Sequence, residues 1–417
     1  MRKILVEGGN RLFGKVHISG AKNSVLPLIA ATLLTDGVSV IGECPWLSDV
    51  ATLCRILEHI GAKTHYENHQ LSIDTTHIEE IDPPAELMRQ MRASFLLAGP
   101  LLARMGKTHI ALPGGCAIGA RPIDLHIKGF EALGADIVQK PGYIEAKCLL
   151  MEGNRIYLDF PSVGATENLI MAAVLADGQT VIENAALEPE IIDLSNMLNA
   201  MGAKIKGAGT RSIRIQGVTS LQPARHTVIP DRIEAASFLI LAAATQSELI
   251  LTNVISEHLQ PLIAKLVECG AFMECGYDSI HILGNDQIQP VDITTLPYPG
   301  FPTDAQAQFM SLLTIARGDS NITETVFENR FMHVEELQKM GADIRLNGNV
   351  ATVRGVSRLH PASVRATDLR AGAAMIIAGQ MAKGITEIRD IHHIERGYED
   401  LCQKLLQVNG RICVVDE

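Results

Sequence analysis

Apolar and polar positions along this chain follow a unit of about 70 residues, written six times. Each unit holds a helical apolar stripe that stops at a glycine. The stops read HIGAK at Gly61, ALGAD at Gly134, AMGAK at Gly202, ECGAF at Gly270, KMGAD at Gly341 and QVNGR at Gly410, separated by 73, 68, 68, 71 and 69 residues. Leu259, Leu262 and Leu266, and again Leu401, Leu405 and Val408, have the spacing of an amphipathic helix. The glycine is the expected helix stop, in a left-handed position just past the last turn. A second kind of segment keeps the same beat: 24–34, 93–103, 168–176, 235–245, 307–316 and 370–382 are small and apolar on every side. A helix that is apolar all round is buried. Strand-like runs follow each of them: VSVIG from Val38, THIAL from Thr108, TVIEN from Thr180, LILTN from Leu249, SNITET from Ser320 and ITEIRD from Ile385. Further β signals come after the glycines, such as LSID at Leu71 and VATVRG at Val350.

Each unit therefore reads as strand, buried helix, strand, amphipathic helix, and two more strands. The terminal units look like the internal ones, whereas an open solenoid needs distinct caps at its ends. Helices buried on all sides with sheets outside them suit compact bundles of three units, so six units predict two such domains. Periodicity alone also accommodates one six-fold ring.

The polar residues at the starts of the buried helices change this picture from architecture to chemistry. They are Lys22-Asn23-Ser24, Arg92-Ala93-Ser94, Thr166-Glu167-Asn168, Asp231-Arg232, Thr303-Asp304 and Asp368-Leu369-Arg370. A helix N-terminus carries free N–H groups and a partial positive charge, which favours Asp, Ser or Thr there. Lys22, Arg92 and Arg370 put cations against that field, a placement that an anionic ligand relieves. The loop 112–126, LPGGCAIGARPIDLH, adds a thiol (Cys116) among glycines and a guanidinium (Arg121) five residues on. A cation nearby favours the thiolate. Later loops add Glu188, Glu328, Arg330, Glu395 and Arg396. Lys22, Arg92, Arg121, Arg330, Arg370 and Arg396, with Cys116 and two aspartates, form a set suited to a multiply anionic substrate and acid–base chemistry.

Composition narrows the classes further. The 417 residues are 47% apolar and 20% charged, a globular composition with room for two or three domains. The net charge of −11 argues against general nucleic-acid binding, so site arginines act locally against the overall field. No apolar run reaches membrane-span length, and MRKILVEGGNRLFG lacks the pattern of a signal peptide. Eight cysteines without a CxxC pair read as reduced thiols of a cytoplasmic protein. GGCAIG has phosphate-loop spacing, but Ala120-Arg121 stands where Lys-Ser/Thr is needed. His392-His393 with Glu395 is set aside as a metal site, and Cys116 with His126 as a nucleophile dyad.

The stretches 19–34 (SGAKNSVLPLIAATLL), 89–104 (RQMRASFLLAGPLLAR), 112–126, 162–173 (SVGATENLIMAA), 183–191 (ENAALEPEI), 301–308 (FPTDAQAQ), 367–374 (TDLRAGAA) and 393–398 (HIERGY) resemble the UDP-N-acetylglucosamine 1-carboxyvinyltransferases, enolpyruvyl transferases of peptidoglycan synthesis. The resemblance spans nearly the whole chain in order. It implies an α/β fold of two inside-out α/β barrels, each of three βαβαββ units. One domain would run from 22 to 229 and the other would join 1–21 to 230–417, with the active site in the cleft between them. The reaction implied moves enolpyruvate from phosphoenolpyruvate to the 3-hydroxyl of UDP-N-acetylglucosamine and releases phosphate, through a tetrahedral ketal. Cys116 would be the general acid, able also to form an adduct with phosphoenolpyruvate. Asp304 would be the sugar-hydroxyl base and Asp368 a proton relay. Lys22, Asn23, Arg121, Arg370 and Arg396 would hold phosphoenolpyruvate. Arg92, the run Arg121, Pro122, Ile123, Asp124 and Leu125, and Ser162, Asp304 and Val326 would hold the nucleotide sugar. Some members carry basic residues where this chain has Trp46 and Ser48. No cofactor or metal is implied, and the partners are the two small substrates of a cytoplasmic monomer, without nucleic acid or membrane. Competing expectations are the shikimate-pathway sister enzyme, which the Cys116 loop and RPIDL oppose, a non-catalytic UDP-sugar-binding paralogue, and a structural repeat scaffold.

Overall fold

The computed structural model describes residues 2–79, 82–112, 118–119 and 122–416. All six small-and-apolar segments are central helices. They are Lys22–Ala31, Ala98–Met105, Val163–Ala173, Arg232–Ala244, Gln306–Leu313 and Leu369–Met381. Their side chains are buried on nearly every face, because Ala, Ser and Gly let the helices approach closely. At Gly99 an added Cβ would meet the Asn168 carbonyl oxygen at 2.4 Å, so only glycine admits that helix pair. The second central segment begins as a 3-10 turn, Arg92–Leu97, because the Ser94 hydroxyl bonds to the Met88 and Met91 carbonyls at 2.7 Å and draws the chain tight.

The helix stops repeat in detail. At Gly61, Gly134, Gly202, Gly270 and Gly341 φ lies between 92° and 110°. The next residue's N–H reaches back to the last turn each time, as in Ala62 to Leu57 and Ala203 to Leu198. This is the Schellman arrangement. The sixth unit differs from the sequence expectation by one position. There Asn409 takes the left-handed conformation (φ 70°) and Gly410 N bonds to Leu405 O at 2.8 Å. Asparagine tolerates this conformation better than other non-glycine residues.

Each central helix is followed by a strand that a β-hairpin pairs antiparallel, for example Val38–Gly42 with Gln70–Asp74 and Lys63–Glu67. The hairpin of the last unit is completed from the start of the chain. Arg2–Gly8 lies antiparallel between Gly384–Arg389 and Arg411–Asp416. In three units a short leading strand pairs parallel with the strand after its own helix, as Arg155–Tyr157 does with Gln179–Glu183. Two leading strands are exchanged. Phe13–His17 precedes the first central helix yet pairs with Glu248–Thr252 after the fourth. Arg225–Thr227 precedes the fourth helix yet pairs with Val38–Gly42 after the first.

Two compact units result. One holds residues 20–112 and 122–229 of the described chain, and the other 2–19, 118–119 and 230–416. Each has its own apolar core of three central helices, against which three sheets pack. Among the described residues, no helix is long and apolar enough to cross a membrane.

Candidate active site

In the unit of residues 20–229 the first central helix begins at Lys22. It has no side-chain cap and no acidic residue in its first turn. The Lys22 ammonium instead meets Asp49 Oδ2 at 2.9 Å, with both side chains nearly buried. Asp49 comes from the helix Ser48–His59, and its acidic role was not read from the sequence. Asn23 follows Lys22 on the same turn and is exposed.

Arg92 opens the 3-10 turn of the second unit. Beside it, burial and then the Arg92 charge push the His126 imidazole down to about 3, so it is neutral. His126 Nδ1 pairs with Asn168 Nδ2 at 3.1 Å, and Asn168 Oδ1 accepts from Gly99 N at 2.7 Å. Asn168 thus joins the second and third central helices, and His126 is a core histidine packed against it. Asp124 and Leu125 begin the helix Asp124–Ala132, with Ile123 just before it and Pro122 exposed. Ser162 caps the third central helix, its hydroxyl accepting from Ala165 N at 3.3 Å. On that helix Glu167 is fully enclosed. Burial, then the Glu190 and Glu188 charges, push its carboxyl well above the usual glutamate value.

In the unit of residues 230–416 three residues from different elements converge. Asp304 stands in the turn Thr303–Ala305. Arg330 Nη2 donates to its Oδ1 at 2.9 Å and Arg370 Nη2 to its Oδ2 at 3.0 Å. Both guanidinium side chains are 3% exposed. Burial alone would raise the Asp304 carboxyl, but Arg370 and Arg330 outweigh it and hold it well below the usual carboxylate range. Arg370 also lies over the Tyr398 ring, 5.4 Å from its centroid. Its Nε and Nη1, and Arg330 Nε, are buried without a hydrogen-bond acceptor. Buried donors of this kind call for an anion.

Asp368, expected as a proton relay, is the N-cap of the sixth central helix. Its Oδ1 accepts from Arg370 N at 2.7 Å and Ala371 N at 3.1 Å. Glu324, which sequence reasoning missed, accepts from Thr303 Oγ1 at 2.9 Å and from Val326 N at 2.8 Å. It thereby ties the Asp304 turn to the Val326 turn. Arg396 ends the turn Ile391–Arg396 and is half-buried.

Cys116 and Arg121 lie outside the described residues. Of their loop, Ile118 and Gly119 group with residues 230–416. Asn329 N donates to Ile118 O at 3.0 Å. Gly119 has φ 146°, and a Cβ there would meet Glu328 Oε2 at 2.2 Å. Among the described residues no cluster of His, Cys, Asp or Glu is arranged to hold a metal. Glu395, the third member of the HHxE group, pairs with Arg2 at 2.7 Å.

The family described as EPSP synthase (3-phosphoshikimate 1-carboxyvinyltransferase) matches residues 6–405. The chain belongs to this family of enolpyruvyl transferases. Within the family it is 57% identical over 414 residues to UDP-N-acetylglucosamine 1-carboxyvinyltransferase 2 of Carboxydothermus hydrogenoformans, covering 99% of each chain. It is 54% identical over 410 residues to UDP-N-acetylglucosamine 1-carboxyvinyltransferase 1 of Caldanaerobacter subterraneus, covering 98% of this chain and 99% of the other. Among solved structures, the enolpyruvyl transferase NikO from Streptomyces tendae matches with a TM-score of 0.90 at 25% identity, covering 99% of both chains. EPSP synthase from Acinetobacter baumannii matches with a TM-score of 0.77 at 17% identity over the full length of both, which shows the shared fold. The α/β architecture of two three-helix units is therefore that of the enolpyruvyl transferases.

Proposed function

We propose that this chain transfers the enolpyruvyl group of phosphoenolpyruvate to the 3-hydroxyl of UDP-N-acetylglucosamine and releases phosphate, the first committed step of peptidoglycan synthesis. The observation that carries the reading is the 52–57% identity, over nearly the whole chain, to relatives that bear this activity in their names. The Arg330–Asp304–Arg370 fork supports it chemically.

The sugar oxygen attacks C2 of phosphoenolpyruvate and forms the C–O bond, while the π electrons take a proton at C3. The ketal then loses a proton from C3 and expels phosphate from C2, which restores the double bond. In this reading Cys116 gives the proton to C3 and Asp304 accepts the proton of the sugar hydroxyl, with Asp368 as relay. A base must be matched to its acid to work well. Asp304 gripped by two guanidiniums is a weak base, so an anionic substrate group that draws Arg330 or Arg370 toward itself would loosen that grip. Lys22, Asn23, Arg121, Arg370 and Arg396 hold phosphoenolpyruvate. Arg92, the run from Arg121 to Leu125, Ser162, Asp304 and Val326 hold the nucleotide sugar. No cofactor or metal is required. The protein works as a cytoplasmic monomer on its two small substrates.

The acceptor is the point to test. Phosphoenolpyruvate is offered with UDP-N-acetylglucosamine or with 3-phosphoshikimate, and products are read by mass spectrometry. The expected product is the sugar nucleotide carrying one enolpyruvyl group. Enolpyruvylation of 3-phosphoshikimate alone would move the chain to the sister activity. Binding of the sugar nucleotide without product would make it a regulatory paralogue.

A further inference from the structure

Lys22 and Asn23 sit on a first turn that its own helix leaves uncapped. The turn is fastened from outside. Ser24 Oγ donates to Asp193 Oδ2, and both side chains are buried. Asp193 belongs to the helix Pro189–Ala200, well away in sequence. Its other oxygen, Oδ1, pairs with His226 Nε2 at 2.7 Å. Ile229 N approaches Asp193 Oδ2 at 3.4 Å, and Ile229 O accepts from Ala21 N at 2.8 Å. The start of the first central helix is thus bonded at Ala21 and at Ser24 to one assembly of Asp193, His226 and Ile229. Just before it the backbone of Gly20 lies close against residue 43, since a Cβ there would meet Glu43 O at 2.1 Å.

We infer that Asp193 is a positioning residue for the phosphoenolpyruvate half-site: through Ser24, His226 and Ile229 it fixes the turn that aims Lys22 and Asn23. This rests on the transferase reading above. Asp193 is buried, and its two carboxylate oxygens are taken up by Ser24, His226 and Ile229. Its carboxylate serves a helix end that has a cation at its first position and no acid of its own. Hydrogen bonds to a buried charged group are strong and directional, which suits the holding of a binding turn. Asp49 acts on the Lys22 ammonium directly, whereas Asp193 acts on the backbone that carries it.

The test is steady-state phosphate release with each substrate varied, for the wild type, Ser24→Ala and Asp193→Asn. Both variants are expected to raise KM for phosphoenolpyruvate about tenfold and to leave KM for UDP-N-acetylglucosamine within about twofold. A purely structural role lowers the amount of active protein and leaves both KM values where they were. That result, or an equal rise in both, overturns the inference. Should Asp193→Asn not fold, Ser24→Ala alone reads the same split, since it removes only one hydroxyl. A wild type that releases no phosphate fails the transferase reading, whereas an active wild type with unmoved KM values in the variants fails this inference alone.

Discussion

Asp304 is gripped at both oxygens, by Arg330 at 2.9 Å and Arg370 at 3.0 Å. Its folded carboxyl lies well below the usual range, so the fork's contribution to stability is fully present above the ordinary aspartate value. It is lost as pH falls through the depressed folded value. Arg330→Gln is expected to cost about 3 kcal/mol and to move acid unfolding, followed by circular dichroism, to higher pH. An unmoved acid transition would count against the fork. Asp368 allows a cleaner separation of roles. Asn also caps helices well, so Asp368→Asn should keep the thermal midpoint, while Asp368→Ala loses about 1 kcal/mol. The proposed relay predicts that the Asn variant loses turnover despite its intact cap, and full turnover in that variant contradicts the relay. The cations at helix starts were legible because they stand against the dipole. The fork was not, because its members lie 26 and 66 residues apart, on two turns and the start of a helix that only the folded chain brings together. Asp49, Glu324 and Asp193 were missed for the same reason, each being an acid on an ordinary amphipathic helix or strand end.

At the level of elements, the start of the fourth central helix carries a buried charge network. Lys404 Nζ donates to Glu234 Oε1 at 2.6 Å, and Ser19 N to Glu234 Oε2 at 2.8 Å. Burial, against the pull of Lys404, raises the Glu234 carboxyl from its usual 4.5 to about 7. An acid raised on folding contributes stability that is complete below 4.5 and lost as pH rises through about 7. Glu234→Gln should therefore flatten the change of thermal midpoint with pH across that window. A slope equal to that of the wild type would show that the titration lies elsewhere. The central helices themselves were readable from composition, since an all-round apolar segment has nowhere to go but the core. Their stops were readable because a left-handed residue is demanded there. In the last unit asparagine met the demand instead of the glycine beside it, and only backbone geometry shows that.

Over the whole molecule, the six repeats suited two three-helix units or one six-fold ring and did not carry the exchange of leading strands; only the family resemblance implied that 1–21 joins 230–417. FGKVH and RHT carry no mark of the sheet they join, because parallel edge pairing is made by backbone atoms. The exchange has a consequence for fragments. Residues 20–229 hold every strand of their unit, whereas 230–417 lack Arg2–Gly8 and Phe13–His17. The first fragment should unfold cooperatively in denaturant on its own. The second should do so only when a peptide of residues 1–19 is supplied, and cooperative unfolding without it would contradict the strand accounting.

An enolpyruvyl transfer in which the Cys116 loop takes part is read by one assay. Phosphate release is measured for the wild type and Cys116→Ala with phosphoenolpyruvate, UDP-N-acetylglucosamine, or both. Release is expected from the wild type only when both substrates are present, with a fall of about 10² or more in the variant. Release from phosphoenolpyruvate alone, or no release with both substrates, would contradict it.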